Sequence, residues 1–305
     1  MNIIQTENLT KKFGDTLAVD NVSINVRQGE IYGFLGLNGA GKTTTIRLIL
    51  GMIKPDSGSV SLFGNELSQG SEVWKDVGYI VEASDSYPNL TVEENLKVYY
   101  HLRGLRDEKL IDNVINTLQL AQYRNRRAQH LSMGNKQRLG LAKALMHNPK
   151  LLLLDEPING LDPSGIVEIR EFLKKIVTNG NTTIFLSSHI LSEISKLATR
   201  IGIVHNGKLI KEINSSDLDK LTLRKLVVNT FDNTGAGILL TEKSISCSVM
   251  NNFIEITDEY AIQHPDVIAT ALVNAGFPPK MLNLIEEDLE SYFLRTINSK
   301  EKIHE

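Results

Sequence analysis

The run Gly36-Leu37-Asn38-Gly39-Ala40-Gly41-Lys42-Thr43 constrains this chain more than any other feature. It fits G-x-x-x-x-G-K-[ST] in the context that gives the pattern meaning: Glu30 to Leu35 reads as a strand before it, and Thr43 to Leu50 as a helix after it. Phosphates are anionic and must be desolvated in a shaped site. Asn38, Gly39, Ala40 and Gly41 offer successive backbone N–H groups as an anion-binding nest, and the helix opening at Gly41 adds its positive dipole end. Lys42 supplies a point charge to the β- and γ-phosphates, Thr43 a hydroxyl for Mg²⁺, and Thr44 in the same first turn is a further expected ATP-binding residue. A chance match in a glycine-rich turn would need no flanking strand and helix. The motif specifies a nucleoside triphosphate and leaves the family open.

Leu151 to Leu154 is continuously apolar, as a central parallel strand covered on both faces would be, and it ends in Asp155-Glu156. Ligands bind at that edge of an open α/β sheet. Asp155 suits Mg²⁺ and Glu156 suits an attacking water; the competing reading, a helix cap by Asp155 ahead of Pro157, leaves Glu156 unexplained. Ser187-Ser188-His189 follows a further β-branched strand, Thr182 to Leu186. His189 there can reach a γ-phosphate and its water, although a lone histidine is as readily structural.

The remaining pattern divides the chain in two. Residues 1–214 read as one α/β unit: Val22 to Val26 alternates like a strand, Asp76 to Val81 is another, and Thr91 to about Gln119 is helical behind a capping box on Thr91. A helix starts near Ser132, and Asn206-Gly207 marks a hairpin between Arg200–Val204 and Lys208–Ile213. Residues 215–305 change character. Strands over Leu226–Thr230, Ile245–Val249, Phe253–Ile256 and Met281–Ile285, with helices over Pro265–Ala275 and Asp288–Ile297, suggest a small α+β domain of ferredoxin-like order. The net charge of −3 offers no basic excess for nucleic acid. The single cysteine, Cys247, reads as a strand residue in a reducing compartment. No apolar run approaches the roughly 18–20 residues of a membrane helix, and no signal peptide is visible, so a membrane role would come through a partner chain.

With Leu131-Ser132-Met133-Gly134-Asn135-Lys136-Gln137-Arg138 lying between the phosphate loop and the carboxylate strand, the chain resembles the ATP-binding-cassette (ABC) ATPases. The segment is similar to that family's signature sequence; taken alone, Ser132 could be a helix cap. The resemblance covers residues 3 to about 214. It implies a P-loop NTPase cassette, a parallel-sheet core with an antiparallel β subdomain and a helical subdomain, ahead of the C-terminal α+β domain. It implies ATP and Mg²⁺ as ligands, and a head-to-tail homodimer in which Leu131, Ser132, Met133, Gly134 and Asn135 reach the ATP of the opposite subunit. Phe13 matches the aromatic that stacks on adenine, Val19 joins the nucleotide contacts, Asp162 lies in the loop linking the two sites, and His189 matches the switch histidine. It further implies integral membrane permease subunits as partners, and a location at the cytoplasmic face of the membrane.

Four positions depart from the common pattern: Met133, Asn135, Ile158, and Glu82 where most of the family has glutamine. A carboxylate beside the γ-phosphate needs Mg²⁺ between them, which makes Glu82 a third expected metal ligand with Thr43 and Asp155; a solvated loop residue is the alternative. Glu82, the run Lys136 to Gly140 and the tail together resemble the bacitracin-resistance and lantibiotic self-protection exporters. The expected activity is ATP hydrolysis coupled to expulsion of peptide antibiotics. Rival readings are an exporter of another drug or lipid, a soluble ABC protein, or a nucleotide kinase or GTPase; the segment at Ser132 argues against the last. Tyr87 and Leu90 are candidate docking residues for a membrane subunit, or else pack within the helical region.

Overall fold

The computed structural model describes residues 1–67, 72–81, 86–180 and 182–301. The chain forms two compact units, Met1–Ser216 and Asp217–Glu305. In the first, the elements run β1 (Asn2–Phe13), β2 (Thr16–Arg27), β3 (Ile31–Leu35), α1 (Lys42–Ile49), β4 (Ser57–Leu62), β5 (Asn65–Glu66) and β6 (Val77–Ile80). They continue with α2 (Val92–Leu102), α3 (Lys109–Thr117), α4 (Met133–Leu145), β7 (Leu151–Leu154), α5 (Pro163–Gly180), β8 (Thr183–Ser188), α6 (Leu191–Ile194), β9 (Arg200–His205) and β10 (Lys208–Asn214).

One sheet has the order β10-β9-β3-β8-β7-β6. All its pairs are parallel except the β9–β10 hairpin, which turns through Asn206 and Gly207, both at positive φ. Every residue of β3, β7 and β8 is buried, which explains the unbroken apolar run of β7 and the mostly apolar β3 and β8. Tyr32 and Phe34 lie with their ring centroids 5.5 Å from that of Phe185 at the centre. On β6, a Cβ at Gly78 would lie 2.1 Å from the Ala144 carbonyl oxygen, so α4 can approach this strand only because position 78 has no side chain. The second sheet, β2-β1-β4-β5, is antiparallel throughout.

The stretch expected to be helical from Thr91 to Gln119 is two helices. Thr91 and Glu94 form the expected capping box. Gly104, at φ +63, then ends the first helix, and Asp107 accepts the Lys109 N–H to start the second.

The second unit contains α7 (Leu218–Leu221), β11 (Arg224–Asn229), α8 (Asn233–Glu242), β12 (Cys247–Val249), β13 (Ile254–Ile256), α9 (Glu259–Gln263), α10 (Pro265–Asn274), β14 (Met281–Glu286) and α11 (Leu289–Glu301). Its antiparallel sheet has the order β12-β13-β11-β14, the split βαβ arrangement. Leu226, Val228, Ile254 and Ile256 face Leu240, Ile268 and Leu272 in a separate core. The periodic reading does not reveal α8, because Gly235 and Gly237 interrupt it; Asp232 caps this helix by accepting the Gly235 N–H.

Candidate active site

The C-terminal ends of β3, β7 and β8 lie side by side, and the chemistry-bearing residues follow directly from them. After Leu35, the Gly36 N–H donates to the Ser188 carbonyl at 3.1 Å, and the Ala40 N–H closes a turn onto Leu37 O. Gly39 and Gly41 have φ of +83° and +99°. A Cβ at position 41 would lie 2.2 Å from the Ala18 carbonyl oxygen, so the loop's path against β2 requires glycine there. Helix α1 begins at Lys42 with no side chain capping it and no acidic residue in its first turn, leaving an electropositive helix start. Lys42 is buried and arches over the loop, its Nζ donating to Gly36 O at 2.8 Å and Leu37 O at 3.2 Å. Such a cradle binds an anionic group through backbone N–H donors and one ammonium.

Thr43 Oγ1 donates to Asp155 Oδ2 at 2.6 Å, joining the phosphate loop to the end of β7. Glu156 turns away from that strand with φ +48°, a left-handed conformation uncommon for a residue with a side chain. Its carboxylate lies 3.2 Å from Lys42 Nζ through Oε1, and 2.9 Å from His189 Nδ1 through Oε2. Asp155 is buried, whereas Glu156 and His189 are 21% and 33% exposed, which leaves them accessible to a small reactant. The arrangement couples an acceptor for a water proton to a histidine and a cation at one sheet edge.

Other expected residues lie elsewhere. Val19 is wholly buried in the main core, so its side chain supports the fold beneath the loop. Phe13 ends β1 with half its surface exposed, and Lys11 Nζ lies 5.6 Å from its ring centroid. Ser132 caps α4 by accepting the Asn135 N–H at 3.4 Å. Leu131 is buried and Met133 is exposed. The α4 start packs on the loop after Glu156: a Cβ on Gly160 would be 3.4 Å from Met133 Cγ, and one on Gly134 3.6 Å from Leu161 Cδ2. Asp162 caps α5, accepting from Ser164 Oγ and the Gly165 N–H, and the Ser164 hydroxyl holds its carboxyl below the usual range. Lys42, Thr43, Asp155, Glu156 and His189 are thus drawn together, while Ser132 to Asn135 belong to a second cluster with residues 160 and 161. Glu82 lies outside the described residues.

Two residues were not anticipated. Ser187 Oγ donates to Asp155 Oδ1 and accepts the Glu156 N–H. Asn95 is buried and holds the loop before α2, accepting from Tyr87 N–H and donating to Tyr87 O and Leu90 O. Exposed Tyr87 borders a cleft of about 440 Å³ with Tyr79, Val98, Tyr99, Leu102 and Lys143, while Leu90 is half-buried. Hydroxyls at strand ends and an asparagine in a helical run carry no distinctive spacing that would mark them in a sequence.

Residues 19–159 match the ABC transporter family. The chain is 40% identical to the bacitracin transport ATP-binding protein BcrA of Bacillus licheniformis, with 97% of each chain covered. It is 39% identical to the lantibiotic transport ATP-binding protein SrtF of Streptococcus pyogenes over 69% of this chain and 90% of that one. Among solved structures, an ATP-binding subunit of an ABC transporter aligns with a TM-score of 0.64 at 29% identity, covering 72% of this chain and 92% of that one. An ATP-binding cassette solved as a dimer in a post-hydrolysis state with ADP and Pi aligns with a TM-score of 0.64 at 25% identity, covering 70% and 98%.

Proposed function

Because this chain belongs to the ABC transporter family, as one of its ATP-hydrolysing subunits, we propose that it powers a membrane exporter that removes peptide antibiotics of the bacitracin or lantibiotic type. The observation that carries the substrate class is the 40% identity to a bacitracin transport ATP-binding protein, because it extends over 97% of both chains and so includes the second unit.

The geometry supports definite roles. Lys42 and the N–H groups of the loop from Gly39 to Thr43 bind and orient the phosphates. Phe13 offers a ring face to adenine. Thr43 and Asp155 present hard oxygen donors 2.6 Å apart, which suit Mg²⁺, and these two would hold it; Glu82, outside the described residues, joins them on the sequence reading alone. The ion would supply positive charge to offset the charge of the phosphates. Glu156 takes the proton of the attacking water, and His189 orients the Glu156 carboxylate and reaches toward the γ-phosphate.

Two copies of the chain pair head to tail. Each ATP then lies between the Lys42 loop of one copy and the Ser132 turn of the other, where the α4 start adds a second set of N–H donors. Among the described residues no helix is long and apolar enough to cross a membrane; we assign that task to separate permease subunits, with this chain held against them at the cytoplasmic face. The cleft beside Tyr79, Tyr87 and Leu102 presents exposed apolar side chains to such a partner, and closure of the dimer around ATP biases the partner's conformation.

The test is resistance. Cells making the chain with its permease partner should tolerate bacitracin or a lantibiotic, and cells making Glu156→Gln should not. Equal sensitivity with and without the intact system, for both antibiotic classes, would remove the proposed substrate.

A further inference from the structure

We propose that Ser187 is a positioning residue for ATP hydrolysis, fixing the carboxylate of Asp155 and the turn at Glu156 as one unit; this rests on the assignment of those two residues above. Ser187 is wholly buried near the end of β8. Its hydroxyl bridges two consecutive residues of the neighbouring strand end: it donates to Asp155 Oδ1 and accepts the Glu156 N–H at 2.9 Å. The direction of this chain is set by chemistry. An ionised carboxylate only accepts and an amide N–H only donates, so the single hydroxyl proton must point to Asp155.

The consequences differ for the two partners. Asp155 Oδ2 is already held by Thr43, so the Ser187 bond to the other oxygen fixes the plane of the carboxylate about both of its ends. For Glu156 the effect is on the backbone. The Asp155 N–H is taken by Ile80 O in the parallel ladder, and the next N–H leaves that ladder and finds Ser187 Oγ. That bond pins a residue at φ +48°, a conformation that persists only where its surroundings over-determine it. From that backbone the Glu156 side chain reaches both Lys42 and His189.

Position 187 is itself anchored. It pairs with Phe34 in β3, and the next residue, Ser188, receives the Gly36 N–H that begins the phosphate loop. The end of β8 therefore ties the phosphate loop, the metal-binding carboxylate and the proton acceptor to one rigid strand. A small displacement at Ser187 would be felt by hydrolysis more than by nucleotide binding, since Lys42 and the loop N–H groups do not depend on the hydroxyl.

The experiment compares full-length wild type with Ser187→Ala and Ser187→Cys. Ser187→Ala is expected to bind ATP without Mg²⁺ within about twofold of wild type, to lose most of the tightening that Mg²⁺ gives to ATP binding, and to turn over about 10–100-fold more slowly. Ser187→Cys, similar in size with a weak donor and acceptor, should recover part of both the Mg²⁺ effect and the turnover. Should Ser187→Ala fail to fold, the same readouts on Ser187→Cys decide, with intermediate losses expected. Wild-type kcat and wild-type Mg²⁺ tightening in the folded variant would overturn the positioning role, as would a loss of turnover matched by an equal loss of folded protein. Absence of ATPase activity in the wild type would instead refute the underlying assignment.

Discussion

Glycine at position 41 is required for a reason that position 39 lacks, and the two can be separated by experiment. Both residues have positive φ, so alanine at either carries the left-handed cost of about 1–2 kcal/mol. At Gly39 the added methyl meets nothing within 4 Å. At Gly41 it would lie 2.2 Å from Ala18 O and 3.6 Å from Gly207 Cα. Ordinary contact needs that first distance to open by roughly 1 Å, against strand β2 and the turn of the β9–β10 hairpin. Forced overpacking of this kind adds about 1–3 kcal/mol, giving about 2–5 kcal/mol in all for Gly41→Ala. The assay is urea unfolding followed by tryptophan fluorescence. The single tryptophan, Trp74, packs against the core of the first unit, so the signal reports on the unit that holds the loop. Gly41→Ala should be clearly the less stable variant, with nucleotide affinity down on the order of 10²-fold because the cradle has shifted. A Gly39→Ala variant that is equally or more destabilised would refute the argument that the approach to Ala18 decides the loop's path.

Phe13→Ala should weaken ATP binding by about 1 kcal/mol, roughly fivefold, and Phe13→Tyr should restore it; equal affinities for all three by fluorescence titration would remove the stacking role. His147 is pushed down to about 4, first by burial and then by the Arg103 charge. The unfolded histidine, titrating near 6.5, therefore binds more protons than the folded one, and stability should fall as pH is lowered from about 6.5 to 4. His147→Gln should flatten that part of the pH profile in the same urea assay, and an unchanged slope would contradict it. Asn95→Ala removes the bonds that hold Tyr87 and Leu90, and should reduce copurification of permease subunits while leaving ATP affinity intact.

The juxtaposition of the candidate site residues was largely legible in the sequence, because their motifs depend on backbone geometry at fixed spacing. Lys42, Thr43, Asp155, Glu156 and His189 sit together because three buried strands, each recognisable as an apolar or β-branched run, end at the same edge. What escaped detection depends on three-dimensional arrangement. Strand β1 breaks its alternation at several register shifts, so its period is weak in the sequence. Helix α8 is masked by its glycines, and the break after α2 rests on one residue, Gly104. The role of Ser187 becomes visible only when β7 and β8 are adjacent, since serine at the end of a strand has no pattern of its own.

The central claim is that ATP is held between two copies of this polypeptide, and light scattering on Glu156→Gln tests it most directly. With Mg-ATP the variant should shift from the 34.0 kDa chain to twice that mass, and Ser132→Arg introduced into the same protein should return it to the single-chain mass. A Glu156→Gln protein saturated with Mg-ATP that stays at single-chain mass would contradict the account.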